Sequence, residues 1–187
     1  MRASLQVEGC LCWMSRVSAR CITTFMFTAD PTNTVAKASP ENHRMEKRST
    51  LVLDTNVVLD WLVFRDTSSQ LLHSRVAAGS VRWLASDSMR SELAHVLARG
   101  IVDDWSPDRE AVWGAWERHA VLLPDPTPNP TARLRCTDPD DQKFIDFALA
   151  HRARWLISRD RAVLKLRERA AVLGLLILTP ETWARTV

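Results

Sequence analysis

The feature that most limits the folds open to this chain is a repeated alternation within residues 49–187. Short, continuously apolar runs stand at 51–54, 81–85, 121–123, 155–158 and 175–178. Between them lie stretches with the period of amphipathic helices, at about 56–64, 68–78, 87–99, 107–119, 139–152 and 161–173, and a short one after Pro180. A strand apolar on both faces must be covered on both faces, and helices between successive strands supply that cover. The expected fold class is therefore α/β, built on a parallel sheet. Pro at every second position from 124 to 130 predicts an extended, polyproline-like loop inside this body.

Composition excludes several classes. No apolar run reaches the roughly 18–20 residues of a membrane span, so no membrane partner is expected. The five glycines, at 9, 79, 100, 114 and 174, stand too far apart to build a phosphate-cradling loop or a dinucleotide fingerprint. The net charge of +3 invites a nucleic-acid reading. Residues 1–48, however, hold seven of the basic residues and four of the acids, which leaves 18 of each sign in 49–187. The body is balanced, so a strongly basic face is not expected, although local patches remain open.

Residues 1–48 show no sustained period and carry Cys10, Cys12 and Cys21. Cys10-x-Cys12 has the wrong spacing for a zinc knuckle, and no later pair completes one. Arg and Ser richness faintly suggests a transit peptide. Met45, followed by a short charged stretch and then the first apolar run, favours a different expectation. The segment reads as an upstream extension or a misassigned start, disordered in either case, and the domain proper as 49–187. With Cys136 the only thiol of the body, a reducing cytoplasm is the expected compartment.

In such a sheet, ligands bind beyond the carboxyl ends of the strands, near the reversal of strand order. The polar residues that follow the apolar runs are mostly carboxylates. Asp54 ends the first run and Asp160 follows the fourth; each could be a helix N-cap or a ligand. Asp138-Pro139 opens a helix well, with Asp138 as N-cap and Pro139 at the first helical position. Counting from Asp141, the residues Phe144, Ile145, Ala148 and Leu149 fall at i+3, i+4, i+7 and i+8, so Asp141 occupies the apolar stripe. A carboxylate there is costly unless a cation or the helix N-terminus compensates it. Glu92 flanks the stripe of Met89, Leu93, Val96 and Leu97, either as a ligand or as a boundary glutamate paired with Arg99 or His95.

Gathered carboxylates repel one another, and hard divalent ions make such a cluster tolerable. All-oxygen ligands suit Mg²⁺ or Mn²⁺, and a pair of such ions can activate water and hold both oxygens of a displacement at phosphorus. The chemistry implied is metal-assisted hydrolysis of a phosphate ester.

The ordered set Leu53-Asp54-Thr55-Asn56, Ser91-Glu92-Leu93, Asp138-Pro139-Asp140-Asp141-x-x-Phe144 and Ser158-Arg159-Asp160 resembles the PIN-domain nucleases over about residues 49–180. The resemblance is closest to the bacterial branch described as toxins of toxin–antitoxin pairs. It implies a three-layer α/β/α sandwich whose five-stranded, mainly parallel sheet has the order 3-2-1-4-5. It implies that Asp54, Glu92, Asp141 and Asp160 are the catalytic, metal-binding acids of an endoribonuclease using Mg²⁺ or Mn²⁺, two ions with substrate bound. Asn56, Ser158 and Asp138 would be supporting residues. Single-stranded RNA as substrate and a small antitoxin as partner are likewise implied by the resemblance.

Other readings compete. The five histidines show no metal-ligand spacing and read as surface or boundary residues. Trp105, Trp113 and Trp116 read as core, or as a partner face that would allow a homodimer. Arginines 152, 154, 159, 161, 167 and 169 read as solvated helix faces, with those near Asp160 able to meet RNA phosphates. A haloacid-dehalogenase-like phosphatase would need Asp where Asn56 stands, and a receiver domain an acidic pair before Asp54. A catalytically inactive module that binds protein or RNA is the alternative of a different class.

Overall fold

The computed structural model describes residues 49–127 and 134–187. The expectations about 1–48, and the last residues of the alternating-proline segment, lie outside the described residues. The first strand, β1 (Thr50–Leu53), is buried at all four positions, as a central strand covered on both faces must be. It leads through Asp54 into α1 (Thr55–Leu62). A 3₁₀ turn at Thr67–Ser69 introduces α2 (Gln70–Ala77), and Gly79, with φ 68°, reverses the chain toward β2 (Arg82–Ala85). Then come α3 (Asp87–Ala98), α4 (Arg109–His119) and β3 (Ala120–Leu122). The second half contains α5 (Gln142–Ala150), β4 (Trp155–Ile157), α6 (Arg161–Leu164), α7 (Arg167–Val172), β5 (Leu176–Leu178) and α8 (Pro180–Ala184). No helix among the described residues is long and apolar enough to cross a membrane.

All strand pairs are parallel and the order is β3-β2-β1-β4-β5, so the implied topology is observed and the sheet is parallel throughout. Leu51 pairs with Trp83 on one side and Trp155 on the other. Tryptophan fills much of the core. Trp83 lies 5.6 Å from Trp61 and 4.8 Å, edge to face, from Trp116, while Trp155 meets Trp183 at 5.9 Å. Trp116 is thus a core residue. Trp113 is half-buried beneath the Arg90 guanidinium, and Trp105 is exposed with its edge against Phe64.

Two helices differ from expectation. The stretch 161–173 is divided into α6 and α7, because Leu166 N–H bonds back three residues to Val163. Val163, Leu166 and Ala170 nonetheless share one buried face across the break. The helix expected from 139 begins at Gln142. Asp138 does not cap it. Its carboxylate accepts the Asp140 N–H at 2.9 Å, closing an Asx turn one step earlier.

Candidate active site at the carboxyl edge of the sheet

Strand order reverses between β1 and β4, and the segments leaving these two strands carry the polar side chains of the site. Asp54 follows β1 and is 2% exposed. Its backbone N–H donates to the Ile157 carbonyl at 3.0 Å, which extends the β1–β4 ladder by one bond and fixes its position. It stands at the N-cap position of α1, yet makes no side-chain capping hydrogen bond. One carboxylate oxygen instead accepts the Ser158 hydroxyl at 2.5 Å, from the end of β4. The same Ser158 oxygen accepts the Asp160 N–H at 3.0 Å. Ser158, fully buried, therefore ties Asp54 to the segment that carries Asp160.

Asp160 is the N-cap that the sequence allowed. Its carboxylate caps α6 by accepting the Ala162 N–H at 2.5 Å, and its charge acts on Asp54 and Asp141. Asp141, half-buried, occupies the N-cap position of α5 without making a capping bond. It therefore sits at the positive end of that helix rather than within its apolar stripe. Glu92 reaches in from α3, and its partner is neither Arg99 nor His95. The Lys143 ammonium, from the first turn of α5, forms an ion pair with Glu92 Oε2. That oxygen is buried and has no aligned hydrogen bond, so the pair is one of charge alone.

The electrostatics bind these acids into one group. Burial raises the Asp54 pKa to about 6; the Ser158 bond opposes it, Glu92 pushes upward, the Asn56 backbone amide lowers it, and Asp160 adds a further rise. Loss of solvation also lifts Asp141, to about 7, with Asp54, Asp160, Asp138 and Glu92 adding repulsion. Among the described residues, no three His, Cys, Asp or Glu side chains are drawn together tightly enough to hold an ion as they stand. The donor set nonetheless fits a hard cation: a desolvated carboxylate, a second held partly protonated, and a third whose buried oxygen is neutralised here by Lys143. Asn56 is exposed and contributes its backbone amide.

Several residues escaped sequence reasoning. Lys143 is one. Arg159 is another: its Nε donates to Asp60 at 2.5 Å, and its guanidinium also meets Ser68 Oγ at 2.6 Å and Glu181 at 2.7 Å. It clamps α1, the 3₁₀ turn and α8 together, so it is a strut and not a free phosphate contact. Asp125, beyond β3, accepts both the N–H (3.2 Å) and the hydroxyl (2.7 Å) of Ser88 at the start of α3, the helix that carries Glu92. Gln142 accepts the Cys136 N–H at 2.7 Å and donates to the Leu134 carbonyl at 3.0 Å, holding the chain before α5. None of these partnerships falls at a helical or strand period, so local periodicity carries no signal of them.

A family model described as a PIN domain matches residues 50–162, from the start of β1 to just past Asp160. No curated protein matches the chain.

Proposed function

This chain belongs to the PIN-domain family, a family of nucleases, and from that premise we propose that it is a metal-dependent endoribonuclease cleaving single-stranded RNA, and the toxin of a toxin–antitoxin pair. The observation that carries the proposal is the shared electrostatic group of Asp54, Glu92, Asp141 and Asp160 at the strand-order reversal. PIN domains generally use divalent ions, and these four carboxylates are the residues that would hold Mg²⁺ or Mn²⁺. When bound, such ions lower the pKa of water and neutralise charge on a phosphodiester.

The chain's own residues prepare that chemistry. Ser158 fixes the rotamer of Asp54 and links it to Asp160. The N-terminus of α5 orients Asp141, and Asp125 with Ser88 steadies the start of the Glu92 helix. Asn56 and Asp138 stand on either side as supporting residues. The antitoxin and the bacterial toxin role rest on the resemblance of the ordered motifs, as does a homodimer on the exposed Trp105 and half-buried Trp113. One observation favours the inactive alternative: Lys143 already supplies a positive charge to Glu92. An assay separates the two. With Mg²⁺ or Mn²⁺ the protein is expected to cut a single-stranded RNA, and to stop when the ions are chelated. Equal cleavage in chelator would refute the metal dependence, and none on any RNA with metal present would refute the nuclease reading.

A further inference from the structure

A pocket of about 380 Å³ opens between the end of α1, the turn into α2, and α4. It lies at the opposite end of α1 from Asp54, and none of the four acids lines it. Its apolar wall is Trp61, with the imidazoles of His73 and His119 at 5.2 and 6.0 Å from the indole. Arg65, in the loop after α1, and Arg118, on α4, stand at its rim. Neither guanidinium has an ion-pair or hydrogen-bond partner among the described residues. In that loop Arg65 has a left-handed backbone, φ 52°, a conformation that costs a non-glycine residue about 1 kcal/mol and that gathers at ligand sites. Ser69 also lines the pocket. It is 1% exposed, and its buried hydroxyl has no partner.

Two guanidiniums with no acidic partner among the described residues at one pocket mouth suit an anionic ligand. The one acid in the lining, Asp66, is already engaged by the Ser68 N–H at 2.7 Å and lies 3.8 Å from Arg159. Desolvation, and then the charges of Arg118 and His73, hold the His119 pKa down. We propose that this pocket binds a phosphate group, with Arg65 and Arg118 as its cations and His73 and His119 as imidazole donors. Donors spread over three elements match the three peripheral oxygens of a phosphate monoester better than the single edge of a carboxylate. The volume also leaves room for what the phosphate carries. A free mononucleotide and the 5′-phosphate of an RNA present the same chemistry.

Calorimetry on the full chain in chelator, where the acids hold no metal, tests this. The probes are inorganic phosphate, adenosine monophosphate, and one oligoribonucleotide with and without its 5′-phosphate. Binding of at least one phosphate monoester is expected, weakening with salt and falling about tenfold or more in Arg65→Met and in Arg118→Met. Adenosine monophosphate binding as well as the phosphorylated oligonucleotide assigns a free nucleotide; a strong preference for the phosphorylated oligonucleotide assigns an RNA end. The proposal is overturned if no probe binds, if both variants bind as the wild type does, or if the oligonucleotide binds equally without its phosphate.

Discussion

Asp54→Asn is expected to lower RNA cleavage by about a hundredfold or more while leaving the fold intact; even residues behind metal ligands commonly cost 10–100-fold. The side chains have the same shape, so the buried volume is preserved, and Asn retains an oxygen that can accept the Ser158 hydroxyl. What is lost is the negative charge of the least exposed of the four acids. Asp141→Asn should cost a comparable amount, because it removes the other carboxylate whose proton affinity shows it to face the rest of the group. Both losses should appear with circular dichroism unchanged. Wild-type cleavage rates in either variant would remove that residue from the site.

The second large effect is on stability. Asp54 titrates near 6 in the fold, against about 3.9 in an unfolded chain. The folded state therefore holds this proton more tightly. Above pH 6 its charge destabilises the metal-free protein; as pH falls through 6 toward 4, that penalty is relieved. For a shift from 3.8 to about 6, the relief is at most about 3 kcal/mol. Asp141, titrating near 7, acts in the same direction. His119, with a lowered pKa, acts against both at acid pH. Comparing wild type with Asp54→Asn separates these contributions. In chelator, the wild type should gain stability between pH 8 and 5 by about 1.4 kcal/mol more than the variant, read from denaturant midpoints. A wild-type profile parallel to that of the variant would contradict the buried, mutually repelling acids.

Legibility followed locality. The strands were visible because a central parallel strand must be apolar at every position, as β1 is. The strand order came instead from the resemblance of four ordered motifs. Asp54 and Asp160 were visible as acids following strands, though composition alone could not separate cap from ligand; Asp160 turns out to cap while its charge also acts on the site. The expected start of α5 failed because Asp138-Pro139 signals a helix and a tight turn equally well; the turn formed, and it moved Asp141 from the stripe to the helix mouth. Pairings such as Glu92 with Lys143 and Arg159 with Asp60 join residues from different elements. Nothing in a helical or strand period records which distant side chain will fill such a place. Likewise, His73 and His119 are unremarkable in sequence, and meet only because α2 and α4 flank Trp61.

The central claim is that these four acids form a divalent-metal centre, and titration of the metal-free protein with Mn²⁺, followed by calorimetry, measures it most directly. Saturable binding by the wild type, weakened at least tenfold in Asp54→Asn, is the predicted result. Wild-type affinity in the variant, or no binding to the wild type, would contradict it.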